Sequence, residues 1–532
     1  MGGNHRERKD GVVKGREESD GRVVPEGRRK AVRTAPERGG KATTANEQAG
    51  QLELFRATAD SPRGADGGAD TGQPVPAPRA VPKARNTKRP ALPAMTMEEV
   101  ASQDNLRRAF EKVASNDGAP GPDRRSVAEV REHLDVVVPV LHRELLDGSY
   151  RPGLIRRVWI PKSGGGERGL GIPNVIDRLV QQAVHQVLSP HYEPTFHGSS
   201  HGFRPGRSCH TAIAEAKKHL EEGHEWVVDL DLAQFFDRVH HDRLIARLEL
   251  RVKDRRLLCL IRRMLKAKVV MPNGVVVSTE EGAPQGGPLS PLLSNIVLDE
   301  LDWELARRGH RFVRYADDCN IYVRSERSGQ RVMASVTRFI EGRLRLVVNA
   351  KKSAVARPEE RHFVGFTLRR EPEDGQVEVL LSKRSKARIG EKIRELTPRT
   401  WGQSLRACLS QLNAYLLGWI GFFWICTEAA ERVLHNLDAH IRRRLRALVL
   451  RHWKRKRTMV RRFIQLGVKV KSAWSVYGGH QSLWALSHST PAHRGLRNAY
   501  FADRGLVSLV ARWRDLQARA VVAPAQLTLV PG

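Results

Sequence analysis

Cysteine is scarce in this sequence. The five present, Cys209, Cys259, Cys319, Cys408 and Cys426, form no Cys-x-x-Cys pair and no even set. That argues against a disulfide framework and against cysteine-based zinc clusters, and it suits a reducing compartment. Long apolar runs are missing too. The most apolar stretch, Ala414 to Cys426, is about 13 residues, too short to cross a bilayer, so no membrane partner is expected. The N-terminus has no secretory apolar core, and no internal repeat is visible. Acidic residues are in deficit: 59 Asp and Glu against 91 Lys and Arg give a formal net charge of +32. A charge this large repels itself and implies a polyanionic partner.

Against that basic background, one acidic pair stands out. Tyr315-Ala316-Asp317-Asp318 lies between the alternating runs Arg311–Arg314 and Asn320–Val323, a pattern that predicts a β-hairpin tip. Two adjacent carboxylates repel, and one holds a proton unless a cation sits with both. A divalent metal removes the conflict and makes the pair useful for phosphoryl transfer. Upstream, the β-rich run Trp226–Leu232 ends in Asp229 and Asp231. Two metal ions need a third carboxylate from a neighbouring strand, and Mg²⁺ is satisfied by a few carboxylates plus substrate phosphates. If Asp229 points from one sheet face, Asp231 shares it and lies nearer the open strand end, so Asp231 is preferred. Asp229 reads as a structural carboxylate and Asp237 as a helix-terminal one.

Other blocks surround these carboxylates. They are Asn116–Asp123, Trp159–Lys162 through Arg168–Pro173, Asp177–Gln182, His201–Ser208, Gly282–Pro291 and Asn349–Ser353. In this order, together with the two aspartate blocks, the chain resembles the group II intron reverse transcriptase/maturases, of the bacterial type that lacks an endonuclease domain. The likeness runs from about Leu106 into the C-terminal region.

The resemblance implies an α+β right-hand polymerase, with fingers and an antiparallel palm sheet, followed by an α-helical thumb/maturase domain. Residues 1–95 are rich in Gly, Arg, Glu, Pro and Ala and poor in aromatics, so they are expected to be a disordered basic extension. Residues 96–224 are read as fingers, 225–380 as palm, 381–470 as thumb and maturase domain, 471–520 as a small DNA-binding segment and 521–532 as a tail. Leu134–Leu146 has a helical apolar face, and Gly164-Gly165-Gly166 marks the tip of a fingers hairpin. Leu434, Leu437, Ile441, Leu445 and Leu448 form one helical stripe.

The same resemblance assigns roles. Asp231, Asp317 and Asp318 are implied to be catalytic, and with Leu232 to hold two Mg²⁺ ions. Lys162 and Arg168 are implied triphosphate ligands. Phe236 is an implied sugar gate that favours dNTPs, with Phe235 the better core candidate. Gln285 is an implied nucleotide contact, and Lys352 a phosphate contact. On composition alone, Arg442, Arg443, Arg446, Arg451, Lys454 and Arg455, interleaved with His452 and Trp453, make a phosphate-binding face for RNA. Tyr415, Trp419, Phe422 and Phe423 read as core, and His480, His488 and His493 as no metal site. The implied partners are a group II intron RNA, an RNA template with its DNA primer, target DNA and dNTPs, in a bacterial cytoplasm and at the nucleoid when acting on DNA. No Cys/His nuclease cluster follows the basic helices, so no endonuclease is expected. The rival readings are another class of reverse transcriptase and a splicing cofactor without polymerase activity.

Overall fold

The computed structural model describes residues 94–161, 166–283, 285–371, 373–398, 402, 404–478 and 482–522. The expectations for residues 1–93 and 523–532 fall outside these.

The architecture is α+β. The central sheet is wholly antiparallel and has four strands in the order Arg311–Tyr315, Asp318–Val323, Trp226–Leu230, Ala354–Ala356. Its strands alternate as the pleat requires. Val228, Phe312 and Ile321 face one apolar core, shared with the helices of residues 97–192 and 241–305. Val227, Val313 and Tyr322 face another, shared with helix Cys209–Glu221 and the helical C-terminal region. The sheet is thus a wall between two cores.

The fingers hairpin forms as expected, Ile155–Pro161 against Glu167–Ile172 in register Pro161 opposite Glu167. This sheet is not purely antiparallel: Ile155 and Arg156 pair in parallel with Val269 and Val270. The helix Ser290–Arg307 starts with Pro291 in its first turn, where a missing N–H costs nothing. The helix Leu134–Leu146 buries Val138, Leu141 and Leu145. The helix Glu431–Trp453 buries Leu434, Ile441, Leu445 and Leu448, and it ends where Lys454 turns to a φ of 58°. Trp419, Phe422 and Phe423 are buried, with Tyr415 packed against them. No helix among the described residues is long and apolar enough to cross a membrane, and the five cysteines are free.

Candidate active site

The Asp317–Asp318 turn is built under strain. Tyr315 pairs with Asp318, which leaves Ala316 and Asp317 as the loop, and Ala316 adopts a φ of 57°. A non-glycine residue there must be held by its surroundings. Arg314 does the holding. It is 1% exposed, and its Nη1 donates to the Ala316 carbonyl at 2.8 Å. Its charge is met by Asp302, which is fully buried, through Nε at 2.7 Å and Nη2 at 2.5 Å. Asn295 and Ser200 accept the remaining donors at 3.1 and 2.7 Å. From the other side Gly202 presses on the turn. A Cβ at Gly202 would lie 2.2 Å from the Ala316 nitrogen, so glycine is required for the close approach.

Asp231 sits one residue past the strand Trp226–Leu230. Leu230 lies opposite Cys319 in the register, and continuing it brings Asp231 to Asp318. The segment 349–353 fixes Asp231. Ser353 Oγ accepts its N–H at 3.0 Å, Asn349 Nδ2 donates to Oδ1 at 3.2 Å, and Lys352 Nζ lies 3.3 Å from Oδ2. Leu232 forms a bridge with Val348. That bridge's two hydrogen bonds run from Ala233 N–H to Val347 and from Asn349 N–H to Asp231, so neither uses the Leu232 carbonyl.

Asp229, Asp231 and Asp318 line one cleft of about 470 Å³ together with Lys351, Lys352 and Arg361. Asp229 is the structural carboxylate: Arg361 grips its Oδ2 at 2.8 and 2.5 Å and also donates to the Lys352 carbonyl at 2.6 Å. Asp317 and Asp318 open onto a second cavity of about 280 Å³, floored by Tyr415, Trp419, Phe422 and Phe423.

Electrostatics mark the site. Water reaches Asp318, yet crowding by protein, then Asp317, Asp229 and Asp231, pushes its carboxyl up to about 7. Burial raises Asp317 as well, against the nearby charge of Arg168. These are carboxylates short of positive charge. All the donors are oxygens, the set that hard divalent cations take. Among the described residues no three His, Cys, Asp or Glu groups enclose an ion unaided.

Of the remaining expected residues, Arg168 is exposed on its strand opposite Ile160. Lys162 lies outside the described residues. Phe235 is 2% exposed, and Phe236 is half-buried against it with ring centres 5.1 Å apart. The Gln285 carbonyl accepts the Gly171 N–H at 2.7 Å, docking the loop on the fingers hairpin. Arg451, Lys454 and Arg455 are exposed and Arg442 and Arg443 half-exposed. Arg446 is not part of an exposed face: it is 6% exposed, and its Nε donates to the Leu496 carbonyl at 3.0 Å. The sequence reading quoted Gly202, Asn349 and Ser353 within its motif blocks without giving them a role, and it gave none to Arg314, Asp302 and Arg361.

Family models match this geometry. A reverse transcriptase (RNA-dependent DNA polymerase) model matches residues 160–368, and a group II intron maturase-specific domain model matches residues 386–465. Together they cover more than half of the chain. The chain belongs to the group II intron reverse transcriptase/maturases. It is 42% identical to protein YkfC of Escherichia coli over 209 residues, 38% of this chain and 55% of that one. It is 45% identical to the group II intron-encoded protein LtrA of Lactococcus lactis over 161 residues, 30% of this chain and 26% of LtrA. A putative COX1/OXI3 intron 2 protein of Saccharomyces cerevisiae is 37% identical over 162 residues, 30% of this chain and 19% of its own. The matched stretch therefore spans about half of the first relative and about a quarter of the second.

Proposed function

We propose that the chain is an RNA-directed DNA polymerase and intron maturase, which binds its group II intron RNA, assists splicing and copies that RNA into DNA. The observation that carries the polymerase half is the convergence of Asp231, Asp317 and Asp318 on two cavities that share Asp318 in their linings. Asp231, Asp317 and Asp318 would hold two Mg²⁺ ions, which would supply charge stabilisation to a phosphoryl-transfer reaction. The reaction is attack of a primer 3′-hydroxyl on the α-phosphate of a dNTP, with loss of the hydroxyl proton and departure of pyrophosphate.

The chain's own residues position the reactants. Asp231 and Asp317 bind the metals, with Asp318 and the Leu232 carbonyl in support. Arg168, Lys162 and Lys352 neutralise the triphosphate. Gln285 contacts the nucleotide, and Phe236 packs under its sugar and excludes a 2′-hydroxyl. Arg314 donating to the Ala316 carbonyl, Asn349 donating to Asp231 and Ser353 Oγ accepting the Asp231 N–H hold the carboxylate-bearing backbone in place, so little reorganisation is left for the reacting state.

The maturase half is supported by the domain match over residues 386–465 and by the exposed cations Arg451, Lys454 and Arg455. The other partners are an RNA template with its DNA primer, and target DNA. In this reading the protein cuts no target DNA and extends a DNA 3′ end supplied by a bacterial cell, acting in the cytoplasm and at the nucleoid. Extension of a primed RNA template tests the proposal. Asp231→Ala and Asp317→Ala should each cost more than the ~10–100-fold of losing a group that merely orients a ligand, while RNA binding persists. Near-normal extension by either variant in Mg²⁺ would sink the assignment.

A further inference from the structure

The long helix Glu431–Trp453 and the segment of residues 488–498 line a further polar cleft, of about 370 Å³. His440, Arg442, Arg443, Arg446, His488 and His493 line it. Among the described residues, none of the three arginines makes an ion pair. Arg446 is nine-tenths buried, and its single hydrogen bond among the described residues goes from Nε to the Leu496 carbonyl. Its terminal nitrogens find no acceptor there. Arg443 stacks over Trp484 at 4.1 Å, which fixes its plane, and its buried Nε has no partner. His488 and His493 stand edge to face, 5.0 Å apart.

Buried guanidinium groups are normally paired, because an unpaired buried charge is costly. Here the neighbours make matters worse. Arg446 and Arg443 both hold the His493 imidazole below its usual range, with burial the largest cause. Arg442 acts on Arg446 in the same sense. The asymmetry is specific to this place, since Asp438 on the same helix is fully used by Ser508, Leu509 and Val510. A site with fixed, convergent, uncompensated donors is built for an anion.

We infer that this cavity seats one backbone phosphate of a bound RNA, clamped between the maturase helix and the C-terminal segment. The inference rests on the RNA-binding reading above and narrows it from a charged face to one defined contact. RNA is the source of the phosphate because Arg442, Arg443 and Arg446 lie within residues 386–465, the stretch that matches the group II intron maturase-specific domain, and a backbone of regularly spaced phosphates suits a chain of net charge +32.

Ethylation interference on intron RNA tests it. In the wild type, ethylating one or two discrete phosphates should block binding. Arg442→Gln and Arg443→Gln leave the buried Arg446 bond intact. In either variant the block at those phosphates should vanish, and the slope of log affinity against log salt should flatten by roughly 0.7–0.9 per lost contact. The same interference pattern and slope in variants and wild type would overturn the inference. So would inorganic phosphate that protects the wild type, but not Arg443→Gln, against thermal unfolding while the RNA pattern stays unchanged, because the site would then hold a free anion. Extension of a short primed template by the wild type, run alongside, tests the polymerase reading on its own.

Discussion

Lys352 Nζ lies 3.3 Å from Asp231 Oδ2, and the Lys352 carbonyl is held by the same Arg361 that grips Asp229. The ammonium therefore occupies the edge of the carboxylate where substrate phosphates would arrive. Replacing it should separate binding from chemistry. Lys352→Met is expected to raise KM for dNTPs about tenfold and to change kcat little, the signature of lost uniform binding. Steady-state single-nucleotide extension measures both, and a fall in kcat at constant KM would contradict the assignment.

Asp318 gives a pH dependence with a defined sign. Its carboxyl is raised from 3.8 to about 7 in the folded chain. Between those values the folded state holds a proton that the unfolded state has released, so stability falls as pH rises through that window. Without divalent metal, wild-type Tm should decline from pH 5 to pH 8 more steeply than that of Asp318→Asn. Adding Mg²⁺ at pH 8 should raise the wild-type Tm, since a ligand of the folded state alone stabilises it, and should raise the variant's Tm less. Parallel Tm curves would count against the shift.

The buried pair behind the turn can be separated from the turn itself. Asp302→Ala strands the Arg314 charge and should cost about 3–5 kcal/mol in urea unfolding. The double variant Arg314→Met with Asp302→Leu should recover most of that stability, because an apolar pair of similar volume is often neutral or better. It should still extend primers at least tenfold more slowly, since nothing then donates to the Ala316 carbonyl. Full activity in a stable double variant would show that the turn holds itself.

Phe236→Ala should admit rNTPs while dNTP use stays nearly intact. The half-buried ring rests on Phe235 and is not itself central to the core, so the fold should survive. Paired rates with dCTP and rCTP decide the matter, and an unchanged ratio would leave Phe236 as packing.

The carboxylate site was legible in sequence because strands betray themselves by period. Alternation around Asp317 and Asp318 and in Trp226–Leu232 located both strand ends, and the shared face of Asp229 and Asp231 followed. The supporting groups were harder to see. Arg314 interrupts an apolar run, which is a signal, but Asp302 sits among Asp299, Glu300 and Glu304, and nothing in one chain's order says that the two meet. Gly202 is one of 45 glycines, and only the packing of a loop against Ala316 singles it out. Arg446 misled for the opposite reason. It sits in a run of half-exposed arginines, yet helix period turns it inward, next to Leu445 and Leu448.

The central sheet has a consequence for anyone who would cut the molecule in two. Neighbouring residues of one short strand, Val227 and Val228, belong to different apolar cores. A chain truncated before the maturase helices would strip the C-terminal helices from the core that holds Val227, Val313 and Tyr322, leaving only helix Cys209–Glu221 and the strands Phe366–Arg370 and Val377–Leu381 to back the strand Trp226–Leu230. In the proposed reading, copying and splicing assistance both lean on this one sheet, and heat that melts either side should silence both at one temperature.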